Sequence, residues 1–237
     1  MTHLVYWYPN IASSEALFSL LSRYSKFIEV QFPFSDPIAD GEVISEANSI
    51  ALENAISTSE VFAFIEKHRQ STWAQVLTMS YFHTVFRYGI EQFVSDSARA
   101  WVYGIIVPDI PLDQEEGKLL YRYCQLYGIY FIVLVSPHTS DTRLKMLSEY
   151  GQGFIYALSQ NMTTGASGNF WFDFQTSIPR IRWYFSLPIG VGFWVQSISD
   201  IEKVNSVADF AILGTKIIRL FQEWWVDAVE WFLQGIP

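Results

Sequence analysis

Glu29 stands inside an apolar run, Phe27-Ile28-Glu29-Val30. A carboxylate there is costly to bury unless it is paired or works on a ligand. Asp40 follows in a polar loop, where Asp40-Gly41 by itself is an ordinary turn signal. One carboxylate in a strand and one on a loop can hold different protonation states and so divide acid–base work between them. The other reading of Glu29 is an inward salt bridge, for which the chain offers only 15 Lys and Arg. Tyr156 ends a later apolar run and reads equally well as a site residue or as an aromatic that fills a barrel. Gly165, Gly192 and Gly214, the last followed by Thr215, fall at the ends of further runs. A bare backbone can turn there or approach an anion. His3, His68 and His138 share no metal-ligand spacing and read as surface or loop histidines, so no metal site is expected. The single cysteine, Cys124, reads as a packed core thiol and excludes an intramolecular disulfide. No Rossmann or Walker glycine pattern appears, so no nucleotide or redox cofactor is implied.

Positioning these groups falls to a regular alternation of elements. Strand-like runs occupy residues 4–8, 27–32, 75–79, 102–107, 130–135, 154–158, 188–193 and 208–213. Helix-like stretches run from Ser13 and Ser14 as caps to Tyr24, then over 45–68, 89–99, 113–126, 140–150, about 176–185, 199–206 and 216–233. Eight units of roughly 29 residues match the spacing of βαβ repeats. Runs apolar on both faces fit parallel strands covered by helices. The pattern predicts an α/β fold, a (β/α)8 TIM barrel, as a single domain over residues 1–237. The first strand is expected at the very start, with no helix across the barrel floor ahead of it. In such a barrel the active site lies at the C-terminal ends of the strands.

Composition narrows the partners. The net charge of −9 argues against nucleic acid or an anionic membrane, either of which wants a clustered positive field. No secretory leader pattern and no apolar run near the roughly 20 residues of a membrane span is visible, which predicts a cytoplasmic protein. Aromatic residues make up 17% of the chain, an excess that needs a structural home. Phe221, Trp224, Ala228 and Trp231 recur at helical spacing near the end. They predict a face that packs on the barrel or covers a surface a first helix would otherwise protect.

Glu29, then Pro33-Phe34-Ser35-Asp36-Pro37, then Ala39-Asp40-Gly41 resembles the signature of the tryptophan synthase α-subunit family, at the same spacing. The likeness continues through Val107-Pro108-Asp109-Ile110-Pro111, Ser136-Pro137, Asp141-Thr142-Arg143, Thr164-Gly165-Ala166, Gly190-Val191-Gly192 and Leu213-Gly214-Thr215. It covers essentially the whole chain. The resemblance implies retro-aldol cleavage of indole-3-glycerol phosphate to indole and glyceraldehyde 3-phosphate, in tryptophan biosynthesis. Glu29 would then be the general acid–base that protonates the ring carbon, and Asp40 would accept the indole N–H. Tyr156 matches a family tyrosine near that glutamate. Gly165, Gly192, Gly214 and Thr215 would bind phosphate, and Trp7, Ile44, Met79, Tyr81, Pro108, Leu134 and Ile212 would line the indole pocket. The resemblance also implies a β partner in an α-β-β-α assembly. That partner carries the pyridoxal phosphate, with no cofactor in this chain, and loops 34–41 and 108–113 carry much of the contact.

The chain departs from the family pattern at several points. The usual helix before the first strand is missing, and Gln31 stands where the family has glycine. The stretch from Ser159 to Gly165 lacks an arginine and a glycine, His83 replaces an asparagine, and Phe193-Trp194 replaces a small polar turn. These changes motivate an alternative, a non-catalytic subunit that only binds and activates a β subunit.

Overall fold

A computed structural model describes residues 1–158, 170–192 and 195–236. Eight parallel strands follow in sequence order: β1 Thr2–Val5, β2 Phe27–Gln31, β3 Gln75–Met79, β4 Gly104–Ile106, β5 Tyr130–Val135, β6 Ile155–Leu158, β7 Ile189–Gly192 and β8 Phe210–Ile212. The ring closes where Thr2 bridges Leu213 and the His3 N–H donates to the Leu213 carbonyl at 3.0 Å. The predicted (β/α)8 barrel is therefore the fold. Between and after the strands lie α1 Ile11–Tyr24, α2 Glu42–Leu52, α3 Thr58–Arg69, α4 Phe82–Tyr88, α5 Ile90–Arg99, α6 Glu115–Tyr127, α7 Asp141–Ser148, α8 Phe170–Tyr184, α9 Ile198–Asn205 and α10 Thr215–Gln234.

Several boundaries differ from the sequence expectation, each for a local reason. The first strand ends at Val5 rather than continuing to Tyr8, because Trp7 takes a left-handed φ of 71°. That shift places His3 inside the strand. Asn10, not Ser13 or Ser14, caps α1 by accepting from the Ser13 N–H, and both serines are buried. The helix expected over 45–68 is two helices. Ser57 and Glu60 form a capping box that starts α3 afresh. Likewise Gly89, at φ 97°, separates α4 from α5.

The aromatic excess is largely structural. Phe27, Tyr103, Phe154 and Phe210 sit at or just before the N-terminal ends of their strands and pack together inside the barrel. Their ring centroids lie 5.1–5.8 Å apart, a range favourable for aromatic pairs. They plug the barrel floor. Gly190 permits this, since a Cβ there would lie 2.4 Å from the Phe210 ring. A separate shell of Leu, Ile, Val and Phe fills the space between barrel and helices, with Cys124 of α6 buried in it. Burial pushes that thiol up to about 12.

The predicted apolar face of the last helix does not form. Trp224 and Trp231 are 70% and 79% exposed, whereas Ile217, Ile218, Phe221, Val229, Phe232 and Leu233 are buried. Trp225 interrupts α10 with φ 64° and ψ −163°. At about 100° per residue the buried positions on both sides of this break fall on one side of an ideal helix, and Trp224 and Trp231 fall just past its edge.

One glycine couples this scaffold to the site. A Cβ at Gly117 of α6 would lie 2.3 Å from the Pro111 carbonyl oxygen and 2.9 Å from the Leu112 nitrogen. Both are backbone atoms of the β4–α6 loop. Gly117→Ala must therefore push helix and loop apart, with an expected loss of about 2 kcal/mol. Thermal unfolding of the variant checks this, and an unchanged Tm would contradict it.

Candidate active site

The C-terminal ends of the strands open onto a cleft with apolar walls and a few polar groups. Glu29 of β2 and His3 of β1 are register partners on neighbouring parallel strands, so both side chains leave the same face of the sheet. Each residue is only 3% exposed. His3 Nδ1 lies 2.9 Å from Glu29 Oε1, while Glu29 Oε2 and His3 Nε2 are buried without a hydrogen-bond partner. Both residues line the cleft. Glu29 is thus paired inside the barrel, with an imidazole rather than Lys or Arg as its partner. Burial alone would lower the His3 pKa. The charge and hydrogen bond of Glu29, with the charge of Asp40, outweigh it and raise the pKa above the usual imidazole value.

Asp40 lies in the β2–α2 loop and also lines the cleft. Its Oδ2 accepts from Gln31 Nε2 at 2.6 Å and from the Tyr81 hydroxyl at 3.0 Å. Gln31, standing where a glycine was expected, is fully buried at the end of β2 and has become a holder of this carboxylate. Tyr81 also accepts from the Ala39 N–H at 2.9 Å and stacks on Phe34. Asn48 accepts from the Phe34 N–H at 3.0 Å, tying the loop to α2. Burial pushes the Asp40 carboxyl up to about 6, against the hydrogen bond from Gln31, the charge of His3 and the hydrogen bond from Tyr81.

Tyr156 of β6 lines the same cleft. Burial, with the charges of Glu29 and Asp40, raises its hydroxyl well above the usual value, so it stays protonated and can donate. A Cβ on Gly192 would lie 2.6 Å from the Tyr156 ring and 2.8 Å from its oxygen, so the bare glycine makes room for this tyrosine. Gly214 and Thr215 line the cleft at the start of α10. The first N–H groups of a helix have no intrahelical acceptor and favour an anion.

Of the expected pocket residues, Ile44, Met79, Pro108, Leu134 and Ile212 line the cleft. Tyr81 lies behind Asp40 instead. Trp7 follows the end of β1, packs edge-on to Tyr6 at 5.9 Å and against the cluster that holds Ile44, and is not among the described residues that line the cleft. Gly165 lies outside the described residues. Sequence reasoning passed over His3, Ile106, Leu158, Val195 and Gln196, all of which line the cleft. Ile106 and Leu158 end β4 and β6, so the strand-end rule could have found them. His3 was hidden by the misplaced start of β1. Among the described residues no three His, Cys, Asp or Glu side chains converge as metal ligands. No helix among them is long and apolar enough to cross a membrane.

A family model described as tryptophan synthase alpha chain matches residues 1–230. The chain belongs to the tryptophan synthase alpha chain family. That family catalyses the indole-3-glycerol phosphate lyase half-reaction. The tryptophan synthase alpha chain of Syntrophotalea carbinolica is 33% identical over 237 residues, covering 100% of this chain and 93% of that protein. The alpha chain of Methanocaldococcus jannaschii is 33% identical over 216 residues, 91% of this chain and 76% of that one. In structure, the tryptophan synthase alpha subunit of Campylobacter jejuni superposes with a TM-score of 0.86 at 33% identity, covering 100% of this chain and 94% of that chain. A tryptophan synthase from M. tuberculosis gives 0.86 at 26% identity, covering 99% and 91%. So extensive a match to the family does not favour the non-catalytic alternative.

Proposed function

We propose that this chain cleaves indole-3-glycerol phosphate, with Glu29 and Asp40 as its two working carboxylates. Glu29 Oε2 gives a proton to the ring carbon that bears the glycerol chain. The ring nitrogen supplies the electron pair and becomes positive, and Asp40 accepts its N–H and stabilises the charge. The Glu29 carboxylate then takes the proton of the adjacent hydroxyl. The C–O bond becomes C=O, the C–C bond breaks, and its electron pair returns to the ring. Indole and glyceraldehyde 3-phosphate leave, with Glu29 protonated as it began. Tyr156 packs beside this pair as a hydroxyl donor. Ile44, Met79, Pro108, Leu134 and Ile212 hold the indole. The phosphate is assigned to Gly214 and Thr215 at the start of α10, with Gly165 and Gly192 assigned to it by the family resemblance.

The observation that carries this reading is the unpartnered Oε2 of Glu29 in the same cleft as Asp40, whose side-chain hydrogen bonds among the described residues fall on Oδ2. Family membership further supports a β-subunit partner in an α-β-β-α assembly in the cytoplasm, with pyridoxal phosphate in the β chain and no cofactor here. Loops 34–41 and 108–113 are assigned to that contact, with the exposed Asp36 and its neighbour Pro37 as the first residues to change. The test is indole release from indole-3-glycerol phosphate by the isolated chain and with a β subunit. Absence of turnover in both overturns the reading.

A pH dependence follows. Asp40 must be ionised to accept the N–H, and its carboxyl titrates at about 6. The acid limb of activity should fall about tenfold per unit below that value. A kcat/KM profile flat down to pH 5 would contradict the role.

A further inference from the structure

His3 is a polar ring buried beside a buried carboxylate, where an apolar side chain of similar volume would fill the space at no electrostatic penalty. Register fixes the pairing, since His3 and Glu29 are direct strand neighbours. The contact uses one atom of each group, Nδ1 and Oε1, and leaves Nε2 and Oε2 unpartnered beside the cleft. Resting on the proposed role of Glu29, we infer that His3 is the positioning and proton-holding partner of that carboxylate: it occupies Oε1, leaves Oε2 as the oxygen offered to substrate, and keeps one proton within the pair.

The proton count closes. In one form the imidazole carries protons on Nδ1 and Nε2, and Glu29 is a carboxylate. In the other the imidazole keeps the Nδ1 proton, and Oε2 carries the second. The two forms have the same composition and differ only in which atom of the pair carries the second proton. Nδ1–H stays on Oε1 in both. Donation from Oε2 to the ring carbon leaves a carboxylate stabilised by the Nδ1–H, and the hydroxyl proton later restores Oε2–H. The raised pKa of His3 agrees with a proton held past the ordinary imidazole range. The other charged or titratable groups facing the pair are Asp40 from the β2–α2 loop, the Tyr156 hydroxyl from β6 and the Met1 amino group at the start of the chain. The apparent values belong to the pair as a whole.

His3→Phe removes the second proton site and leaves a lone carboxyl, a group whose ordinary range lies well below neutrality. The expected result is a kcat at pH 7.5 reduced by about tenfold or more, KM within about threefold, and an alkaline limb moved down by about one unit or more. His3→Asn keeps an N–H donor near Nδ1 but holds no proton. It should regain kcat at low pH while keeping the shifted limb. A His3→Phe enzyme with the parental kcat and pH profile, in a background where Glu29→Gln is inactive, overturns this inference and leaves the function intact. An active Glu29→Gln enzyme overturns both. A measurement independent of turnover is the NMR titration of the His3 ring nitrogens. The midpoint should fall in Glu29→Gln, and an unchanged midpoint refutes the coupling even if the His3 variants fail to fold.

Discussion

Glu29→Gln should lower indole release by about 10³-fold or more, while the variant folds and binds as the parent does. The same oxygen is asked to donate a proton and then to accept one, so an amide removes two steps rather than one. The replacement is isosteric, and its carbonyl oxygen can still accept from His3 Nδ1, which lies 2.9 Å from Oε1 in the parent. Replacing a buried carboxyl group by a neutral isostere also limits any loss of stability. A Tm within a few degrees, together with a lost single-turnover rate at saturating substrate, is the expected pair of results. Retention of parental turnover would remove Glu29 from the chemistry altogether.

The residues that make this prediction possible were legible to different degrees. Glu29 and Asp40 were visible because a charge in an apolar strand and a motif of fixed spacing survive any uncertainty in element boundaries. The barrel was visible because its strands are apolar on both faces, a pattern that tolerates errors of two residues at each end. His3 was not visible. Tyr6-Trp7-Tyr8 has the β-propensity of a strand, and that local preference pulled the expected β1 past its real end at Val5. Only the left-handed backbone at Trp7 reveals the error, and Trp is not a residue that announces such a conformation. The role of Gln31 was hidden for another reason. Its partner Asp40 is brought to it by loop closure, through Tyr81 and Asn48, and no sequence period encodes that closure. Trp224 and Trp231 show the converse failure, where a helical spacing that starts from the buried Phe221 runs off the edge of the buried face and into solvent.

Asp40→Asn is expected to damage activity and improve stability at once. Turnover should fall about 10²-fold, because the negative charge beside the developing positive nitrogen is gone. An amide also has a geometric conflict. If its oxygen takes the bonds from Gln31 and Tyr81, its N–H faces the N–H of the indole, and two donors meet. The stability effect has a definite sign. The folded carboxyl titrates at about 6, above the ordinary carboxylate value, so the folded state holds this proton more tightly than the unfolded chain does. The contribution of this group to stability is therefore fully present below about pH 4, declines as pH rises towards 6, and carries the full burial penalty above it. That penalty corresponds to at most about 3 kcal/mol, and the neutral amide does not incur it. Asp40→Asn should raise Tm by several degrees at pH 7.5, and the gain should vanish near pH 4, where the parental carboxyl is itself neutral. A variant less stable than the parent at pH 7.5 would mean that the bonds from Gln31 and Tyr81 hold the charge more firmly than its burial opposes it.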